Sequence, residues 1–335
     1  MPYVVRRLLS MVPALLGVVL AIFLLTRVLP GDPALTYAGE QAPPEVVENI
    51  RVAMGLDKPV WEQFLAYVGG LLTGDLGFAW HTGQPVAFEF ASRLPATAEL
   101  AIVALVIALL VGVPLGIVSA VRRDRPIDHV SRVLSLIGAS MPLFWLGLMV
   151  IFLFYGTLGW EPAPLGRIAP GVNPPTNITG LYVLDSVLSG DLIALRSSFA
   201  HIIWPAMVLS TGSMAIIARM TRSAMLEVID QDYIRTAKSK GLSPFSVIYK
   251  HALKNAAPVT VTVVGLQFGQ LLGGAVITET IFTWPGIGKF VTDSVLATDY
   301  APVQAFTLVA AVLYMVINLI VDLINAKLDP RVVNV

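Results

Sequence analysis

The chain has 335 residues, 56% of them hydrophobic and 13% charged, with a mean hydropathy of +0.77, whereas a water-soluble domain carries about 25% charge. This composition excludes an ordinary soluble globule and places the protein in a bilayer. Zero net charge, with no basic patch interleaved with aromatics, argues against nucleic acid, and the absence of cysteine excludes disulfides and thiolate metal sites.

Apolar runs of about 20 residues, enough to cross about 30 Å of hydrocarbon, occur at residues 8–29, 100–121, 133–155, 202–218, 256–278 and 305–324. The first follows Arg6 and Arg7. It is longer than a signal-peptide core and lacks a small-x-small cleavage site, so it reads as an uncleaved anchor. The fourth is the shortest and carries Pro205, Ser210, Thr211, Gly212 and Ser213. With six spans and the N-terminus inside, 15 of 22 Lys and Arg residues fall on one side and 15 of 22 Asp and Glu residues on the other. Basic loops resist translocation, so both termini are expected in the cytoplasm.

Residues 30–95 are too polar to span and form an extracytoplasmic insert. A helix after Pro43-Pro44 places Val47, Ile50 and Met54 on one face and ends at Gly55. A second, from Pro59, carries the stripe Trp61, Phe64, Leu65, Val68, Leu71 and Leu72. Both either lie along the outer interface or pack on the bundle. Residues 156–200 are rich in Pro and Gly and show little periodicity.

Between the fourth and fifth runs, residues 232–255 read DYIRTAKSKGLSPFSVIYKHALKN. Asp232 suits an N-cap, Tyr233 to Lys240 gives two helical turns, and Gly241 suits a left-handed stop. Ser243 then caps a second amphipathic helix with Pro244 at its first position and Phe245, Ile248, Ala252 and Leu253 on one face. Small residues at Ala237 and Gly241 allow another surface to approach, ringed by Arg235, Lys238 and Lys240. The segment reads either as a docking knob or as an ordinary basic loop.

In the fifth run Gly265, Gly269 and Gly273 recur every four residues, a face for close helix packing. Gln267 and Gln270 lie off that face and either line a pathway or bond between helices. Asn318 and Asp322, near the end of the sixth run, read as structural. In the segment from Glu279 to Lys289, Trp284-Pro285-Gly286 makes a turn, Gly288 makes another, and Trp284 is an interfacial anchor. His81, His129, His201 and His251 are scattered without metal-ligand spacing. No paired acid and base is present, and no G-x-x-x-x-G-K-[ST] phosphate loop occurs, since Thr283 and Phe290 break the near match at Gly288-Lys289.

Residues 232–255 resemble the EAA loop of permease subunits in binding-protein-dependent ABC importers. The pattern Glu-Ala-Ala then Gly maps onto Arg235, Thr236, Ala237 and Gly241, with the Glu and first Ala replaced. Other runs are similar to the B-type subunits of the dipeptide/oligopeptide/nickel branch: LPGDP at 29–33, GDLG at 74–77, RLPAT at 93–97, SMPLFW at 140–145, RMTRSAMLEV at 219–228 and ETIFTWPGIGK at 279–289.

The resemblance implies an all-α membrane protein with the type I ABC importer permease fold. It would comprise a first helix and insert (residues 1–95), a five-helix core (96–328) with a coupling loop (220–255), and a cytoplasmic tail (329–335). It also implies coupling to an ATPase through Asp232, Arg235, Thr236, Ala237, Lys240 and Gly241, and an outer gate around Glu279, Trp284, Pro285 and Gly286. The partners would be a C-type permease, one or two ATPase subunits holding ATP and Mg, an extracytoplasmic binding protein and membrane lipid. This chain would have no cofactor or catalytic role. The expected cargo is di- or oligopeptide, with nickel, glutathione or another small solute as alternatives. An ion-coupled secondary transporter is the competing class, but the spans of this chain are almost free of the midplane ionisable residues such proteins use, with Arg27 and Asp322 near their ends.

Overall fold

The computed structural model describes residues 3–28, 32–39, 41–160, 163 and 165–328. Residues 29–31 of the LPGDP run and the expected tail at 329–335 lie outside the described residues. In chain order the elements begin with α1 (Tyr3–Val28), α2 (Pro33–Ala38), α3 (Pro44–Ala53), α4 (Val60–Thr73), a hairpin of β1 (Phe78–Ala79) and β2 (Gln84–Pro85), and α5 (Val86–Val121). Then come α6 (Pro126–Ser140), α7 (Leu143–Val150) running into a π-helical segment (Ile151–Thr157), α8 (Tyr182–Ser189), α9 (Leu192–Ile229) and α10 (Asp232–Ser239). A second π-helical segment (Ser246–Ala252) leads into α11 (Leu253–Ile281), followed by α12 (Ile287–Leu296) and α13 (Tyr300–Leu328). The chain forms two compact units: residues 1–97 with 285–315, and residues 98–284 with 316–335.

Among the described residues, five helical stretches are long and apolar enough to cross a membrane: α1, α5, α9, residues 246–281 and α13. The pair of α6 with α7 and its π-helical extension, bent by 100° at the break, passes the same test together and makes a sixth if counted as one span. The apolar run over 133–155 is thus divided between two helices. Pro142 offers no N–H and disfavours helical geometry at Met141, which adopts φ −70, ψ 127, and the helix breaks there. The fourth run, the shortest of the six, lies inside α9, which extends beyond it at both ends to 38 residues. Its polar Ser198, Ser210, Ser213 and Thr221 are buried against other helices, so low hydropathy there marks an interior helix.

In the first unit, Asp32 caps α2 by accepting from Ala34 N at 3.0 Å and also pairs with Arg51 of α3. The α4 stripe divides. Phe64 meets Phe23 of α1 edge to face, with Tyr67, outside the stripe, stacked on the same ring, while Trp61, Leu65 and Leu72 are exposed. Gln304 of α13 donates to Thr26 of α1 at 2.8 Å. The core gathers Ala79, Val86, Phe90, Ile287, Phe290 and Val291, and the Thr97 hydroxyl accepts from Ile287 N at 2.9 Å, fixing the start of α12.

The second unit is organised on α9, which packs against α6, α7, α8 and α11. Gly112 and Gly116 of α5 allow contact with its backbone: a Cβ at Gly116 would lie 2.6 Å from the Ala218 carbonyl oxygen, and one at Gly112 2.9 Å from that of Met214. Beside this contact, the fully buried Asp128 of α6 receives both arms of Arg222 at 2.8 Å, the Ser119 hydroxyl at 2.5 Å and the Asp124 amide at 3.0 Å. The glycine face expected on α11 splits. Gly265 abuts Val321 of α13, Gly274 faces Leu209 of α9, and Gly273 meets open space.

The loop that showed little periodicity is fastened at two points. Arg167 bonds Glu99 of α5 at 2.6 Å and lies 3.6 Å from the Tyr182 ring centroid. The Asp185 carboxylate accepts from the Thr179 hydroxyl and the amides of Ile178, Thr179 and Gly180. Burial raises the Asp185 pKa, but these hydrogen bonds outweigh it and hold the carboxyl below its ordinary range. With the folded pKa below an unfolded value of about 3.9, the stabilisation is present above that value and is lost as pH falls through the folded one.

Two outcomes are expected. Asp128→Asn leaves Arg222 without its charge partner and costs about 3 to 5 kcal/mol, read from unfolding midpoints in detergent. Exchange protection of the amides at 178–180, corrected for intrinsic rate, stays level from pH 7 to about 5 and falls below about pH 4. Asp185→Asn removes that dependence.

Candidate functional site

The segment singled out in the sequence is seated by its apolar side chains. Ile234 and Ala237 of α10 enter a cluster made by Ile117 and Ala120 of α5, Ala224 and Met225 of α9, and Val247, Ala252 and Ala256 at the start of α11. The opposite side is exposed and carries Asp232, Arg235, Thr236, Lys238 and Lys240. Arg235 and Asp232 pair at 3.1 Å across one turn, fully in solvent, a contact worth a few tenths of a kcal/mol.

Gly241 has φ +78 and stops the helix, as its position in the sequence suggests. Its amide bonds Lys238 O at 3.0 Å, and no atom lies within 4 Å of where its Cβ would stand. Ser243 caps the next helix by accepting from Ser246 N at 3.3 Å.

Three expectations for this segment change. Gln231, not Asp232, occupies the N-cap, and it makes no side-chain capping bond. Ala237 is 7% exposed, so it holds α10 to its own chain rather than admitting a partner. The second helix is not separate: residues 246–281 form one continuous helical stretch, with Val247 and Ala252 buried and Phe245 71% exposed. Phe245 instead stacks on Tyr249, ring centroids 4.5 Å apart, giving the exposed surface an aromatic pair beside its cations.

The two amides of α11 also part. Gln267 is buried, and its Oε1 accepts no hydrogen bond from any described residue. Gln270 is exposed and lines a groove with Gly138, Met141, Thr211 and Ser213.

At the end of α11, Glu279 is fully buried and its carbonyl accepts from Trp284 N at 2.8 Å. Trp284, expected at the membrane interface, is 1% exposed, with the Arg167 guanidinium 5.9 Å from its ring centroid. The reversal is made by Thr283 at φ +48. Gly286 is the N-cap of α12 and Gly288 lies inside that helix, so neither glycine forms the expected turn. Among the described residues no group of acids and histidines could hold a metal ion.

The family model described as "Binding-protein-dependent transport system inner membrane component" matches residues 112–334, and a companion N-terminal model of the same family matches residues 1–101. The chain belongs to this family. Among the permease's relatives, the dipeptide transport system permease protein DppB of Alkalihalophilus pseudofirmus is 46% identical over 330 residues, 98% of each chain. The probable D,D-dipeptide transport system permease protein DdpB of Escherichia coli is 45% identical over 327 residues, 98% of this chain and 96% of its own. A chain from inward-facing structures of the MetNI methionine ABC transporter aligns with a TM-score of 0.53 at 16% identity, covering 72% of the permease and 97% of that chain. At that identity the likeness is one of fold, the type I ABC importer permease fold. The permease is thus a multi-span helical component of an inner membrane transport system.

Sequence reading of the permease overlooked the Gly112 and Gly116 pair, whose four-residue spacing is the same signal read at Gly265 and Gly269. It also overlooked Tyr249, four residues after Phe245 and therefore its neighbour on a helix. Gln267→Leu removes a buried amide oxygen that has no hydrogen-bond partner among the described residues. The substitution is expected to leave stability unchanged or raise it by about 1 kcal/mol, read as the thermal midpoint of the purified protein.

Proposed function

We propose that this permease forms half of the translocation path of an ATP-driven importer of di- and oligopeptides. The relatives named for dipeptide and D,D-dipeptide transport support the substrate class. In this reading a C-type permease pairs with the chain, one or two ATPase subunits bind ATP and Mg and hydrolyse it, and an extracytoplasmic binding protein delivers the peptide. Residues 1–95 form the first helix with its outer insert, 96–328 the transport core, and both termini are cytoplasmic.

The observation that carries the proposal is the two-sidedness of α10. Its inner face is locked into α5, α9 and α11, and its outer face presents Asp232, Arg235, Thr236, Lys240 and Gly241 with Phe245 and Tyr249 alongside. An ATPase seated there pushes on three helices at once. Exposed aromatics ringed by charge are what a protein partner covers. Gln270 lines the path in this reading, whereas buried Gln267 does not. Glu279, Trp284, Pro285 and Gly286 belong to an outer gate in this reading.

Gly241→Trp adds bulk where this chain has no atom to meet it. The left-handed backbone is strained by about 1 to 2 kcal/mol. The variant is expected to reach the membrane, lose ATPase co-purification and lose peptide uptake. Gly241→Asn, which tolerates the same backbone, is expected to keep both. ATPase docking retained in the Trp variant overturns the assignment. For the path, Gln270→Leu is expected to lower uptake severalfold at unchanged assembly, and unchanged uptake removes Gln270 from it.

A further inference from the structure

We propose that the first unit carries a receptor for a primary ammonium group, the amino terminus of a short peptide, built around Asp299. The inference rests on the peptide-importer reading above and adds a site to it.

Between α12 and α13 the chain turns through Ala297, Thr298 and Asp299. Thr298 adopts φ +55, a left-handed conformation rare for a β-branched residue. The turn is held by amide bonds from Thr298 to Val295 O at 3.1 Å and from Asp299 to Ser294 O at 2.9 Å. Strain of this kind persists only where the surroundings enforce it.

Its product is a carboxylate with a side chain 3% exposed and only one oxygen engaged. Oδ2 accepts from the His81 amide at 3.1 Å and faces His81 Nδ1 at 2.9 Å, while buried Oδ1 has no hydrogen-bond partner among the described residues. Asp299 lines a cavity of about 340 Å³ whose walls include Tyr37, Trp80, Met54 and Tyr300. Tyr37 and Trp80 meet edge to face with centroids 5.3 Å apart. Among the described residues no Lys or Arg lines the cavity.

A buried acceptor without a donor is costly, and a cationic donor relieves the cost through a charge-assisted hydrogen bond. Aromatic walls favour the same charge. The volume falls in the range of small-molecule sites, about 300 to 1,000 Å³, so the cavity suits a dipeptide better than a single lysine side chain. With no cation among the described lining residues to hold a carboxyl terminus, the site recognises one end of the peptide and leaves its length unconstrained.

The test uses the full-length chain assembled with its transporter partners in lipid nanodiscs, without binding protein, and radiolabelled Ala-Phe as probe. Saturable binding is expected, with N-acetyl-Ala-Phe competing at least about tenfold more weakly than unlabelled Ala-Phe. Asp299→Asn is expected to weaken binding by at least about tenfold. Ala297→Leu narrows the cavity without touching the His81 pair and is expected to weaken binding as well, so the proposal remains testable should the Asn variant fold poorly.

Equal competition by the acetylated peptide, or binding indifferent to both variants, overturns the site. If the dipeptide does not bind and Asp299→Asn instead weakens capture of the binding protein, the ammonium belongs to a lysine of that protein and the peptide assignment is overturned. ATP-driven uptake of Ala-Phe is measured in parallel with binding protein present. Its absence in the wild type sinks the importer reading, whereas intact uptake without amine-dependent binding sinks only the site.

Discussion

The second unit is held in register by one buried carboxylate. Asp128 on α6 gathers a hydroxyl from α5, an amide from the linker between them and both arms of an arginine on α9. A charge in a low-dielectric interior is tolerable only when its lone pairs are filled, and here they are filled from three separate elements. The same junction brings Gly116 against the backbone of α9, which fixes how closely α5 can lie. Met225 and Ala224, one turn beyond Arg222, then become the floor on which α10 rests. A clamp on one side of the helix pair therefore determines the seat of the docking element on the other.

Much of this was legible from local pattern. Among the described residues five of the six apolar runs fall within single helices and the run 133–155 divides between α6 and α7, the prolines at 43, 44 and 59 mark the starts of α3 and α4, and Gly241 stops α10 where its lack of a Cβ suggests. Proline was a poor guide to breaks inside the spans. Pro13, Pro205 and Pro258 lie within continuous helices, whereas Pro142 ends one. The identity of the residue does not determine the outcome, because neighbouring helices can compensate for the lost bond.

What could not be read was whatever depended on distant partners. An aromatic near the end of a span suggests an interfacial anchor, yet Trp284 is enclosed beside Arg167, more than a hundred residues earlier. Asp299 and His81 are 218 positions apart, and neither lies in a pattern that announces the other. The two glutamines of α11 look alike in sequence but differ in burial, Gln267 enclosed and Gln270 open to a groove, which depends on what other helices bring to each.

The winding of residues 246–252 has its own consequence. Val247 and Ala252 are five apart and lie in one cluster. On a regular α-helix such a pair diverges by about 140°. The π-helical segment absorbs the difference and returns them to the same side. The orientation of every side chain further along α11 is thus set by the number of residues in this stretch. Gain or loss of a single residue would rotate the rest of the helix by about a quarter turn or more, so a substitution here can be tolerated where an insertion cannot.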